Sequence, residues 1–282
     1  MKIGKLYLCA TPIGNLEDMT YRAVRVLKEA DLIAAEDTRH TRKLLTHFDI
    51  HTPLISYHEH NKETRGPELI ERLLGGEDVA VVSDAGLPGI SDPGSQLVQL
   101  AITAGLTVVP VPGANAALTA LVAAGLNTAA FTFVGFLPKT GKKRREFLKS
   151  LSGCQTTLVI YESPHRLKST LAELLDEFGD RPGTAARELT KKFEEFIRGS
   201  LSSLQKYFSE NQPRGEFTLV IAGNNSENAA QTAEESELLP LEQEVAALVR
   251  SGYDKKAAIR EVAVSRAVSR REVYQAVIGK EN

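Results

Sequence analysis

Apolar residues along this chain fall into short continuous runs separated by stretches of helical spacing, and the two patterns alternate over most of its length. Val79–Ala80–Val81–Val82 is the clearest run. Four apolar residues, three of them β-branched, predict a buried strand. Lys5–Ala10, Leu32–Ala35, Val79–Ser83 and Thr107–Pro110 read as strands of a first unit. Phe131–Val134, Thr157–Tyr161, Thr184–Arg187 and Phe217–Ala222 read as strands of a second. Helical spacing lies between them at Tyr21–Ala30, Pro67–Leu74, Pro93–Ala104, Ala116–Ala124, His165–Phe178 and Leu201–Tyr207. Such alternation predicts an α/β fold with largely parallel sheets. The turn Pro112–Gly113–Ala114–Asn115 divides the units, giving an N-terminal α/β domain over 1–113 and a C-terminal α/β domain over 114–223. Asn115 is placed to cap the next helix and Gly125 to end it.

The pattern breaks after Gly223. Residues 224–239 are rich in Asn, Ser, Ala and Glu without an apolar period, which predicts a flexible acidic linker. Helical spacing returns over 240–282. Ser269–Arg270–Arg271–Glu272 matches a capping box, and the helix near Lys256–Val264 before it completes a small helix-turn-helix-like unit. Arg270 and Arg271 then sit in the first turn of the second helix, where such motifs meet nucleic acid; a helical cap with a solvated basic edge has the same pattern.

Composition narrows the picture modestly. The net charge of −2 means that a nucleic-acid partner is met by local patches, not by a global field. Cys9 and Cys154 lie beside or within strand-like runs, so two free thiols in a reducing cytoplasm are expected, and they form no zinc spacing with the histidines. No stretch reaches the length of an apolar membrane span, and no signal-peptide pattern opens the chain.

Chemistry concentrates in SDAGLPGISDPG, Ser83 to Gly94. Three glycines and two prolines fix an irregular path between a strand and a helix, and Asp92–Pro93 reads as N-cap and first helical residue. Ligands of open α/β sheets bind outside the carboxyl ends of strands. Thr11–Pro12–Ile13–Gly14 also follows a strand, but it lacks the P-loop and dinucleotide fingerprints. Asp37 and Arg39 form a candidate charge pair, or a structural salt bridge. His58 and His60 would share a face of an extended segment, and a histidine titrates where a general base is useful. Glu188 and Lys191 are further candidates, as an ion pair, a phosphate contact or a group acting on a hydroxyl. Glu36, Glu162, Arg166 and Arg187 are other polar groups beside strand ends. Lys139 to Arg145 is the most basic run, with Lys139, Lys142, Lys143, Arg144 and Arg145 inside seven residues; it is either a solvated face or a phosphate-binding segment.

Taken in order, LYLCATPIGNLEDMTYRA from Leu6, AAEDTRHTRKLL from Ala34, SYHEHN from Ser56, SDAGLPGISDPG, VPGANAALTAL from Val111, FVGFLP from Phe133, YESPHR from Tyr161, RELTKKFEE from Arg187 and GEFTLVI from Gly215 resemble the tetrapyrrole (class III) S-adenosylmethionine-dependent methyltransferases. Within them the resemblance is nearest to the type that methylates ribosomal small-subunit RNA. It implies two α/β/α domains holding S-adenosylmethionine in the cleft between them, with a helical tail. It places Pro12, Asp84, Ala85, Gly86, Leu87, Pro88, Ile90, Ser91, Ala114, Asn115, Tyr161, Leu189 and Thr218 at the cofactor. Asp37, Arg39, His58, His60, Glu188 and Lys191 become catalytic candidates, and Lys139, Lys142, Lys143, Arg144, Arg145, Arg166, Arg270 and Arg271 RNA contacts. The implied reaction is methyl transfer to the ribose 2′-hydroxyl of a decoding-centre cytidine in 16S rRNA, by a cytoplasmic homodimer acting on the RNA or the small subunit, with no metal. A small-molecule methyltransferase on the same scaffold, and a non-catalytic nucleic-acid-binding regulator, are the alternatives. The basic run and the helical tail argue against the first and the intact cofactor motifs against the second.

Overall fold

The computed structural model describes residues 2–224, 241–250, 253–265 and 268–278. They divide between two compact units, Met1–Asn228 and Ala229–Asn282. The segment read as a linker lies, apart from Asn224, outside the described residues.

The larger unit holds two five-stranded sheets. The first is built from β1 (Lys5–Cys9), β2 (Leu32–Ala35), β3 (Leu54–Ser56), β4 (Val79–Val82) and β5 (Thr107–Val111), in the order β3-β2-β4-β1-β5 and parallel throughout. Helices α1 (Tyr21–Glu29) and α2 (Thr38–His47) bury Ala23, Leu27 and Leu45 with Cys9, Ile33 and Ala80. Helices α3 (Lys62–Leu74) and α4 (Gly94–Thr103) bury Leu69, Leu73 and Leu97 with Leu6, Ala34 and Val81. Alternate residues of one strand thus feed two cores, and every residue of β2 and β4 is buried. A run of continuous apolar character, not an alternating one, is the pattern this packing requires.

The second sheet departs from the parallel expectation. After α5 (Ala116–Ala123) come β6 (Phe131–Phe136), α6 (Gly141–Leu151), β7 (Thr157–Glu162), α7 (Pro164–Phe178), β8 (Pro182–Arg187), β9 (Glu195–Ser200), α8 (Leu201–Glu210) and β10 (Phe217–Ile221). Their order is β6-β7-β10-β8-β9, and only β6–β7 is parallel. Residues 188–194 are too few for a crossover, so β9 returns beside β8 as a hairpin. β10 enters antiparallel to both its neighbours. Helices α6, α7 and α8 cover one face through Leu148, Leu167, Leu171 and Leu204, and α5 covers the other through Ala117, Ala120 and Leu121.

Among the elements that escape the sequence reading are α2, β3 and β9. In α2, Thr41, Leu44 and Leu45 form a short buried stripe, but charged residues surround it. β3 has three half-buried residues, and β9 is a largely polar edge strand. The caps expected of α5 are present: Asn115 Oδ1 accepts the Leu118 N–H at 3.0 Å, and Gly125 follows the helix with φ +79°.

The smaller unit contains α9 (Leu241–Arg250), α10 (Lys255–Ser265) and α11 (Arg270–Ile278) around Val245, Ala258, Ile259, Val262 and Val273. The capping box forms as expected. Ser269 Oγ accepts the Glu272 N–H at 3.2 Å while Glu272 accepts the Ser269 N–H at 2.8 Å. Arg270 and Arg271 are exposed in the first turn of α11.

Candidate active site

Because β1, β2, β4 and β5 run parallel, their carboxyl ends open along one edge, where the loops that follow them collect. β10 is antiparallel to β7 and β8, so its first residue pairs with their last: Phe217 lies opposite both Glu162 and Arg187. Strand ends of both sheets therefore meet around one cavity of about 520 Å³.

The first sheet supplies Ile13, Glu36 and the loop Ser83–Asp92, apart from Pro88 and Gly89; Asn115 and Ala116 join them. The β1 and β4 loops are locked together, since the Thr11 N–H donates to Gly86 O at 2.9 Å and the Gly86 N–H to Thr11 O at 3.1 Å. Gly86 sits at φ +80° and Ser91 at φ +66°, the latter a conformation that a residue with a side chain adopts at a cost. Asp92 stabilises this path. Its carboxylate accepts N–H groups from Gly89 at 2.8 Å, Ile90 at 3.1 Å and Gly94 at 2.8 Å. The helix that follows begins one residue later than the sequence suggests, at Gly94 with Pro93 as its N-cap and no side-chain cap bond, so Asp92 is not the N-cap but the anchor of the loop before it. No Cβ fits at Gly94, because Asp92 Oδ1 and the Gly89 nitrogen would each lie 2.8 Å from it.

The second sheet supplies Phe136, Tyr161–Pro164, Ala186, Leu189, Lys191 and Glu216–Thr218. Burial pushes the Tyr161 phenol up, and its oxygen accepts the Ala117 N–H at 3.2 Å. Lys191 Nζ lies 3.0 Å from Glu188 Oε1 and 2.7 Å from Glu216 Oε2, and its stem packs where a Cβ at Gly14 would stand. Burial opposes the Lys191 charge, but bonds to Glu216 and Glu188 outweigh it and hold the ammonium above the usual lysine range. Burial likewise opposes the Glu188 charge. The Glu216 N–H and Lys191 outweigh it, so this carboxyl is held low. Glu188 and Thr190 both adopt positive φ, at 48° and 66°, so the loop is strained on the two sides of Leu189, just before Lys191.

Acidic groups mark one side of the wall. Burial, followed by the charges of Asp84 and Asp92, holds the Glu36 carboxyl above its ordinary range. Asp84 accepts the Asp37 N–H at 2.9 Å.

Of the residues expected at a cofactor, Asp84, Ala85, Gly86, Leu87, Ile90, Ser91, Asn115, Tyr161, Leu189 and Thr218 line the cavity. Pro12 and Pro88 are buried and do not line it, and the Ala114 carbonyl lies 3.4 Å from where a Cβ at Gly86 would stand. Among the catalytic candidates only Lys191 is on the wall, with Glu188 behind it. Asp37 is the N-cap of α2, accepting the Arg39 N–H at 2.8 Å. That bond, ahead of the Arg39 side chain, holds its carboxyl low. Arg39 points outward. His58 and His60 lie in a turn, not on an extended segment, with ring centroids 6.0 Å apart. Neither lines the cavity, though His58 lies near enough to Glu36 to oppose its raised pKa. Among the described residues, His58 Nδ1 is buried with no hydrogen-bond partner.

The basic run also needs a correction. Lys142, Lys143 and Arg145 are exposed on α6, but Arg144 is 4% exposed. It donates to Glu173 at 2.5 Å, Thr170 at 2.7 Å and the Pro138 carbonyl at 3.0 Å. Arg144 faces inward because α6 packs that side against α7, and it leaves the set of RNA contacts. Arg166 is half-buried, paired with Glu162 at 2.8 Å. Ile13, Phe136 and Glu216 were not singled out from sequence. Phe136 lies beyond the Phe131–Val134 run read as a strand, and the fold extends β6 to include it and leaves it exposed.

A family model described as Tetrapyrrole (Corrin/Porphyrin) Methylases matches residues 5–205. The chain is 52% identical over 271 residues to the ribosomal RNA small subunit methyltransferase I of Halalkalibacterium halodurans, covering 96% of this chain and 93% of that one. It is 50% identical to the protein of that name in Bacillus subtilis, over 97% of this chain and 94% of the other. Among solved structures, diphthine synthase superposes with a TM-score of 0.62 at 14% identity, covering 79% of this chain and 91% of that one. A uroporphyrin-III-C-methyltransferase from Thermus thermophilus superposes with a TM-score of 0.56 at 23% identity, covering 78% and 94%.

Proposed function

Since this chain belongs to the tetrapyrrole methylase family, we propose that its cavity binds S-adenosylmethionine and that it methylates ribosomal small-subunit RNA, at the ribose 2′-hydroxyl of a decoding-centre cytidine in 16S rRNA. The observation that carries this reading is the identity of about half of all residues, over nearly the whole chain, to proteins named for that RNA. The cavity fits such a group. Its volume of about 520 Å³ lies within the usual range for small-molecule sites, and Glu36, Asp84 and Asp92 present negative charge to a cation. When bound, the sulfonium supplies an electrophilic methyl group.

The protein's own part is chiefly positioning and proton control. The loop over residues 84–91 is held by Asp92 and by Thr11, so its backbone groups are in place before a ligand arrives. Lys191, kept protonated between two carboxylates, orients the ribose–phosphate at the mouth. Glu36 is the wall carboxyl whose proton affinity is raised, by burial and then by the charges of Asp84 and Asp92, so it is the group best suited to accept the 2′-hydroxyl proton, with His58 behind it. Exposed Lys139, Lys142, Lys143 and Arg145, with Arg270 and Arg271 of the smaller unit, neutralise RNA phosphates. We place the enzyme in the cytoplasm as a homodimer; among the described residues, no helix is long and apolar enough to cross a membrane.

The test is transfer of labelled methyl to purified small subunits, to free 16S rRNA or to a porphyrin precursor. Label in RNA at a linkage resistant to alkali is the expected result, because a blocked 2′-oxygen cannot attack the adjacent phosphate. Label only in the porphyrin precursor would reassign the substrate, and label lost by alkali-sensitive linkages would reassign the acceptor atom.

A further inference from the structure

Phe136 occupies an unusual position for a large apolar residue. It is the last residue of β6, it lines the cavity, and it is 58% exposed. A β-bulge between Phe133 and Gly135 interrupts the pairing with β7, and Gly135 adopts φ +68°. Bulges re-aim the side chains that follow them. Here the irregularity carries Phe136 onto the wall beside Tyr161, with ring centroids 5.4 Å apart and planes inclined by 59°. Tyr161 thus packs between the Phe133 and Phe136 rings, at 5.1 and 5.4 Å, while more than half of Phe136 stays exposed.

The segment that follows is anchored in a way that makes the ring part of a rigid surface. Leu137 is 2% exposed and takes a bond from Arg166 on its carbonyl. The Pro138 carbonyl is held by buried Arg144. Arg166 in turn pairs with Glu162, a cavity residue whose side chain is wholly buried. Three residues beyond Phe136 the exposed lysines begin, at Lys139, within about 11 Å along even an extended chain. An aromatic face, a fixed turn and a cluster of ammonium groups therefore follow one another from the cavity rim outward.

We infer that Phe136 is a stacking platform for the target nucleobase of a single-stranded RNA segment, held beside the methyl-transfer cavity while Lys139 and the exposed residues of α6 take the neighbouring phosphates. This rests on the RNA-methylating function proposed above. Unpaired bases are commonly bound on aromatic faces, and a base stacked at the rim brings its ribose to the cavity mouth. Buried Arg144 and half-buried Arg166 are positioning residues for the platform, not contacts to RNA.

The experiment compares the full-length protein with Phe136→Leu, Phe136→Ala and Phe136→Tyr, measuring methyl transfer to small subunits and S-adenosylmethionine affinity by calorimetry. Leu keeps the apolar bulk without a π-face, and Tyr keeps the ring. We expect KM for the subunit to rise roughly 5- to 100-fold in the Leu and Ala variants, Tyr to recover most of it, and cofactor affinity to stay within about twofold. Leu transferring methyl as the parent does would overturn the inference and leave the RNA-methylating function intact. Cofactor affinity falling in step with transfer would also overturn it, by assigning the ring to the cofactor. A parent protein that labels no RNA would overturn the proposed function itself, and the platform with it.

Discussion

The carboxylate of Asp92 organises the cavity loop, and its removal has a calculable cost. Three N–H groups point at it, two of them, from Gly89 and Gly94, part-buried at 2.8 Å. The third, from Ile90, is exposed. Hydrogen bonds to a charged acceptor contribute about 1.5–3 kcal/mol each when sheltered, and exposure reduces that value. Ser91 at φ +66° adds roughly 1 kcal/mol of conformational strain that these bonds must hold in place. Asp92→Ala should therefore loosen the loop by about 2–3 kcal/mol. A surface loop opens locally before its unit unfolds, so most of this appears as an ordering cost on ligand binding. The expected loss of S-adenosylmethionine affinity is roughly 30- to 150-fold, with a modest change in Tm. Asp92→Asn retains one acceptor oxygen and should lose only about 5-fold. The pair of variants separates two physical causes. If the negative charge alone mattered, Asn and Ala would lose affinity equally. Calorimetric titration gives the order, and hydrogen exchange at Gly89, Ile90 and Gly94 reports the loop directly. A folded Asp92→Ala protein with parental affinity and parental protection of those amides would refute the reasoning.

Three further outcomes follow from the site. Gly14→Ala places a methyl group in the path of the Lys191 stem, so it should pull the ammonium from Glu188 and Glu216 and lower kcat/KM on RNA about tenfold, with cofactor affinity nearly unchanged. Replacing Lys142, Lys143 and Arg145 together with Ala should weaken RNA binding and reduce its log–log salt slope by about 2, at ~0.7 per contact, whereas Arg144→Met should leave the slope alone and lower Tm because it breaks the buried bonds to Glu173, Thr170 and Pro138. The third concerns pH: the depressed Glu188 carboxyl contributes stability that is present above the ordinary carboxylate range and lost as pH falls through its folded pKa, and the raised Lys191 contributes stability that is lost as pH rises through its own, so melting temperature should form a plateau between them whose two edges flatten in Lys191→Met.

Much of this was legible in the sequence because the relevant signals are local. The strand Val79–Val82, the Asn115 cap and the Ser269 capping box depend on residues a few positions apart, and each is present in the fold. The rigid loop was likewise announced by its glycines and prolines. What escaped depends on pairing at long range. The antiparallel entry of β10, and with it the approach of Glu216 and Phe217 to the cavity, follows from which strands β10 joins, not from its own composition. Arg144 lies within a run of four exposed-looking basic residues, and only the packing of α6 on α7 selects it for burial. Asp37 and Arg39 were paired correctly, but the backbone N–H bond, not the side-chain contact, is the stronger link.

The strand order bears on how the chain comes into being at the ribosome. The first sheet has all its strands once Val111 has been synthesised, and the second can begin with the parallel β6–β7 pair. Its middle, however, is occupied by the strand made last. Until Phe217–Ile221 has emerged, β7 and β8 each present an unpaired backbone edge, and hairpin β8–β9 has no partner joining it to the rest. Insertion of β10 therefore closes the sheet and delivers Thr218 to the cavity in one event. We expect nascent chains stalled before that point to hold an N-terminal sheet without binding competence, and competence to arise in a single late step as β10 clears the exit tunnel. Cofactor crosslinking to chains released at successive lengths would detect a gradual gain instead, if the order of assembly is otherwise.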